Sequence, residues 1–202
     1  MTTERPALTI DPGEKLPVYQ YIGLFLVLVA INIVLSKIAV VSLEIAPGVS
    51  AFYIVVASMV ICTLWFGMWG AVAAYFGCLI GAGLLSGIPP DVSFYWSLAD
   101  FWQVLIPLLA FRLLHADPSL RTMRDMGLLM VFGVFLNNLA GALWGSVCLA
   151  LGRVIPWSEI ITVMYGWWLG NCIVCLLLVP LLLFICTPFI RKHPLVVREY
   201  WQ

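Results

Sequence analysis

Six apolar stretches, at residues 19–41, 51–65, 68–86, 95–114, 127–151 and 160–189, fill most of this chain and leave it one environment in which to fold. About 20 helical residues at 1.5 Å each cross a hydrocarbon layer of about 30 Å, and the stretches are of that order. Backbone amides in lipid find no water, so such stretches satisfy them internally as helices. The basic residues between them fall on one side. With a cytoplasmic N-terminus, Arg5, Lys15, Arg112, Arg121, Arg124, Arg191, Lys192 and Arg198 lie inside; Arg153 alone lies outside, and Lys37 sits within the first helix. This is the positive-inside arrangement. Glu44, Asp91 and Glu159 then face the outer compartment, with Asp100 just beneath them. The expected fold is an all-α integral membrane protein, a six-transmembrane-helix bundle with cytoplasmic N and C termini, multi-pass in the cell (plasma) membrane.

Composition narrows the function classes. Of 202 residues, 63% are hydrophobic and 10% charged, where soluble domains carry about a quarter charged residues. The net charge is zero, so nucleic acid is not an expected partner, and the basic inner residues are explained by topology and by anionic lipid. The chain divides into a cytoplasmic tail at 1–18, a transmembrane domain at 19–190 and a basic cytoplasmic tail at 191–202, with no room for a soluble catalytic domain. The first tail lacks the basic start, short apolar core and cleavage site of a signal peptide. All six cysteines fall in apolar stretches. Cys172 and Cys175 have the spacing of a redox or metal pair, but no basic neighbour lowers a thiol pKa there, and small buried hydrophobes are the expected role. His115 and His193 both lie at the inner surface, so no metal site assembles. No Ser/His/Asp set, catalytic carboxylate pair, phosphate loop or nucleotide motif is present. The sequence reads as a non-enzyme without cofactors.

The third stretch carries Ala73, Gly77 and Gly81 at four-residue spacing, with Gly70 and Ala74 alongside. Small residues at that spacing let helices approach closely in lipid, either within the bundle, the favoured reading, or against another subunit. Pro89 and Pro90 end the helix, and Pro107, Pro180 and Pro188 are candidate kinks.

Polar residues within the membrane carry the functional signal. Counted from the outer end, Lys37 is about four residues deep and Asp100 about six, depths that agree within about 3 Å, so either the two form a salt bridge between helices or Lys37 snorkels outward and Asp100 faces loop water. Asn32, Gln103 and Asn171, joined by Asn137 and Asn138, form a layer one level deeper, which serves either as interhelical glue or as the floor of a pocket. Tyr53, Tyr95, Trp96, Trp102, Trp157, Tyr165, Trp167 and Trp168 crowd the outer third. An aromatic mouth over amides and a charged pair suits a small, flat or partly cationic organic ligand. The expected ligand-binding residues are Asn32, Lys37, Trp96, Asp100, Gln103, Asn138, Trp167 and Asn171, with Trp96 and Trp157 in an outer lid.

Trp167-Trp168-Leu169-Gly170-Asn171 followed by an apolar run and Pro180-Leu181-Leu182-Leu183 resembles the closing helix of the MASE1 family of membrane sensor domains. The resemblance extends to Ala46-Pro47-Gly48-Val49-Ser50, to the Trp65-Phe66-Gly67-Met68-Trp69-Gly70 turn and to the basic loop at 120–125. Asn171 stands where the family more often has Asp. The resemblance implies a small-molecule sensor whose sixth helix and basic tail pass a conformational signal to an output module. The layout also resembles the S components of energy-coupling-factor vitamin transporters, which implies an outer ligand pocket and a transporter coupling subunit as partner. Their first helix typically carries an Ala-xxx-Ala face, where this chain offers only Ala30 and Ser36, each followed four residues later by valine. A structural subunit without ligand is the remaining reading.

Overall fold

The computed structural model describes residues 16–42 and 44–197. The expectations placed on Arg5, Lys15 and Arg198, and most of the N-terminal tail, lie outside the described residues. The apolar stretches form α1 (Val18–Ser42), α2 (Val55–Phe66), α3 (Met68–Cys78), α4 (Pro90–Trp96), α5 (Leu98–Leu113), α6 (Met123–Leu128), α7 (Asn137–Leu151) and α8 (Ile160–Ile190). A π-helical turn at Leu79–Gly83 prolongs α3, and another at Leu129–Leu136 joins α6 to α7. Five segments are long and apolar enough to cross a membrane: Val18–Ala39, Met68–Ser86, Pro90–Leu113, Met123–Leu151 and Trp157–Ile190. The chain is a multi-pass membrane protein of the all-α class, its outer faces apolar against lipid. α2 is a shorter apolar helix of 12 residues, about 18 Å long.

α2 sits at the centre. It packs against α1, α3, α5 and α8, and Val55, Val56, Met59, Val60 and Leu64 are wholly buried. The helices around it turn their largest apolar side chains outward, as with Leu26 and Val34 on α1 and Leu177 and Phe184 on α8. The inward face of α1 is Leu28, Asn32, Ser36 and Ala39, residues that recur at helical spacing. It meets the small-residue face of α3. A side chain at Gly81 would come 2.8 Å from the Ser36 Cβ, and one at Gly77 would collide with Asn32. The glycine stripe is thus a packing face within the bundle.

The second stretch departs from the expected helix over 51–65. Residues 44–50 form a hairpin in which β1 (Glu44–Ala46) pairs antiparallel with β2 (Val49–Ser50), and α2 starts only at Val55. Pro47 and Gly48 make the turn, with Gly48 at φ +75° and its N–H donating to Glu44 Oε1 at 3.1 Å. Ala46, Gly48, Val49 and Ser50 are buried, and Gly170 of α8 packs directly on the Ala51 carbonyl. Irregular backbone of this kind is tolerated at membrane depth when protein surrounds it. At the other end of α2, residues 191–197 return onto the α2–α3 turn: Val197 N–H donates to the Trp65 carbonyl at 2.8 Å, and Val196 is buried.

Candidate functional site

The hairpin closes over a polar nest to which α1, α3, α4, α5, α8 and the segment before α2 contribute. Ser36 of α1 and Tyr53, just before α2, share a hydrogen bond of 2.7 Å, and the Tyr53 hydroxyl donates to Asp100 Oδ2 of α5 at 3.4 Å. Asp100 is 1% exposed, and its Oδ1 has no hydrogen-bond partner. Trp96, ending α4, and Trp167, on α8, are both buried and meet with ring centroids 5.8 Å apart at 52°. Gly48, Val49, Ser50 and Cys78 complete the wall of a cavity of about 10 Å³, the size of one water.

The expected pairing of Lys37 with Asp100 is corrected. Lys37 Nζ donates to the Leu85 carbonyl at 2.7 Å, in the middle of the 3₁₀ turn Leu84–Ser86. The two residues are matched in depth but not in direction. Ser36 occupies the inward face of α1, so Lys37, about 100° further round the helix, points aside. Among the described residues, Asp100 has no cationic partner. Chemically, the nest offers one free carboxylate oxygen on Asp100, an unpaired indole N–H on Trp96, a phenol already engaged, and the indoles of Trp96 and Trp167 in its wall.

The amide layer exists but is not the floor of this cavity. Gln103 Nε2 donates to Asn138 Oδ1 at 2.7 Å, and Asn138 Nδ2 donates to the Val134 carbonyl, also at 2.7 Å. A π-helical turn misaligns the usual carbonyl acceptors, and the Val134 oxygen serves both Asn138 and the Cys172 thiol at 3.2 Å. Asn32 packs with its Cβ against Gly77. Asn137 and Asn171 are fully buried, and their side-chain atoms have no partner. Of the residues singled out from the sequence, the structure brings Trp96, Asp100 and Trp167 together. It does not place Asn32, Lys37, Gln103, Asn138 or Asn171 on the same cavity, and Trp157 is 62% exposed, away from it.

Sequence reasoning placed Tyr53 among the aromatics but missed its bond to Asp100, and it missed Ser36, Cys78 and the hairpin. The Pro47-Gly48 pair between the first two apolar stretches was the available signal. Among the described residues, no group of three His, Cys, Asp or Glu side chains is placed to hold a metal ion. Comparison with family models, with curated proteins and with solved structures finds no match to this chain.

Proposed function

We propose that this chain is a membrane receptor for a small molecule, similar to MASE1 sensor domains, with six membrane-embedded helices, both termini cytoplasmic, and a ligand taken from the outer side of the plasma membrane at the Tyr53–Trp96–Asp100–Trp167 nest. The observation that carries this reading is Asp100, a carboxylate buried in the bundle with a free oxygen and no cation from the described residues. An ionisable group at such depth costs a few kcal/mol on insertion scales and marks a functional site by default. A bundle needing only to pack has no use for it.

The route for a signal is α8. Trp167 lies at the nest and Thr187 at the tail junction of the same helix, about 30 Å apart along the axis. Thr187 accepts from Trp65 Nε1 at 3.1 Å, and the Trp65 carbonyl holds the tail at Val197. A ligand that favours one packing of Trp167 over another thereby biases the tail, provided it binds the two arrangements unequally. Native mass spectrometry of the purified protein tests the proposal. A retained small molecule is expected, and it should be lost in Trp167→Ala. Retention of nothing, together with no thermal stabilisation by any fraction of a host-cell metabolite extract, would sink it.

The competing reading, an S component of an energy-coupling-factor transporter, draws on α1. Its outward face leaves Gly23 with no atom within 4 Å of an added Cβ and leaves Ala30 exposed, a gap where a coupling subunit's helix fits. Co-purification with ATPase subunits decides for transport, and co-purification with a response regulator or cyclase decides for sensing.

A further inference from the structure

A groove of about 450 Å³ runs along the lipid-facing surface between α5 and α7, with Trp102 and Ile106 on one side and Ala140, Trp144, Val147 and Leu151 on the other. Its wall is fixed by contacts within the bundle. Trp102 and Trp144 meet edge to face with ring centroids 6.1 Å apart, and Trp144 Nε1 donates to the Tyr95 carbonyl at 2.8 Å. From Ala140 to Leu151 the groove follows α7 for about 17 Å, a little over half of a hydrocarbon core of about 30 Å. It is therefore as long as one leaflet is deep. At the hairpin end of the bundle a second hollow, of about 360 Å³, shares Trp144, Cys148 and Leu151 with it and continues to Tyr95, Gly152 and Asp91. The Val92 side chain packs on Gly152, so Asp91 and Arg153, the neighbours of those two residues in the chain, stand at the same end. Both are exposed, and among the described residues neither side chain is hydrogen-bonded or ion-paired.

We propose that this groove is a site for one aminophospholipid of the leaflet at the hairpin end, with an acyl chain laid along Trp102, Ala140, Trp144 and Val147, the phosphate against Arg153 and the primary ammonium against Asp91. The apolar length of the groove matches a chain that ends near the midplane, and the two charges stand where that lipid's headgroup begins. A guanidinium fits phosphate oxygens, and a carboxylate accepts from an ammonium that has three donors. A lipid with a phosphate and no amine satisfies Arg153 but brings a like charge to Asp91. A helix from another subunit, about 10 Å across, bridges the groove without filling it, and the side chains beneath forfeit their dispersion contacts. A flexible chain fills it. The groove and its continuation share no lining residue with the Tyr53–Trp96–Asp100–Trp167 nest, so the lipid site stands whether or not the receptor reading does.

The test is native mass spectrometry of the full chain, delipidated in detergent and titrated with phosphatidylethanolamine and phosphatidylglycerol of identical acyl chains. Binding should reach a plateau at one lipid per chain, with the ethanolamine lipid bound at least five-fold tighter than the glycerol lipid. Asp91→Asn should bring the two within two-fold of each other, and Arg153→Gln should weaken both at least three-fold. Glu159→Gln, exposed at the same end but not on the groove, should leave both unchanged. Both charge variants alter exposed side chains, so their folding is not at stake. Ala140→Phe, which fills the groove, should lower occupancy by either lipid. Equal binding of the two lipids by the wild type, a ladder of bound lipids with no plateau at one, or a preference that survives Asp91→Asn overturns the proposal. So does a stable dimer that excludes lipid, since a second copy would then cover the groove.

Discussion

The indole N–H of Trp65 donates to the Thr187 hydroxyl at 3.1 Å, and that hydroxyl donates onward to the Pro118 carbonyl at 3.3 Å. Three separate segments, α2, the loop after α5 and the end of α8, thus meet at one buried threonine. Thr187→Val keeps the shape and removes both bonds, leaving a partly buried indole N–H and a carbonyl unpaired. A loss of about 1–3 kcal/mol is expected for such an orphaned group. Thermal unfolding in detergent checks it, with Thr187→Ser expected to stay near wild type. Equal melting of the valine and wild-type proteins would show the tie to be dispensable.

Close approach of α1 and α3 makes a second expectation. Gly77→Ala places a Cβ into Asn32, whereas Gly127→Ala, on α6, meets nothing within 4 Å. The first should destabilise by about 1–3 kcal/mol through overpacking. The second should be neutral or stabilise by up to about 1 kcal/mol, since alanine is the better helix former. Reversible unfolding of the two variants side by side reads the contrast; identical behaviour would mean the helices are not held at this spacing.

The spans were legible because hydropathy and length report the bilayer directly, and Val18–Ala39, Met68–Ser86, Met123–Leu151 and Trp157–Ile190 fall close to where the apolar stretches begin and end. The hairpin was not, because residues 44–50 read only as an outer loop between two apolar stretches, and Pro47 and Gly48 mark a turn without saying that its arms pair and bury. Depth along the chain was readable, which is why Asp100 and the tryptophans were found. Azimuth was not. Lys37 and Ser36 differ by one position, yet one reaches Leu85 and the other Tyr53. α1 and α8 are apolar on every side, so their inward faces are marked by small and polar residues instead. The amides show the same limit: Gln103 and Asn138 converge as their depth implies, but their partners are each other.

That pair supports a direct measurement. Gln103 and Asn138 are both fully buried and joined at 2.7 Å. A double-mutant cycle with Gln103→Leu and Asn138→Leu should return a coupling of about 0.6–1.7 kcal/mol, the range found for side-chain bonds between membrane helices. Because neither residue lines the nest, ligand affinity in the folded fraction should be unchanged. Strictly additive stabilities would mean the bond contributes nothing, and a large loss of affinity would move the site into the amide layer.

Orientation is the expectation on which the outer site depends. Arg112, Arg121, Arg124, Arg191 and Lys192 gather at one end of the bundle, and Glu44, Asp91 and Glu159 at the hairpin end. The positive end is retained in the cytoplasm during insertion, so the hairpin end is expected outside. Single cysteines placed at exposed positions of each end decide it, using Asp91→Cys and Glu159→Cys at one and Met123→Cys, which is 87% exposed, at the other. An impermeant thiol reagent on intact cells should label the first two and not the third, with all three labelled after permeabilisation. The six native cysteines lie on apolar helices and none is exposed, which disfavours their reaction with a charged reagent. Labelling at Met123 without labelling at Asp91 would invert the bundle and place the nest on the cytoplasmic side.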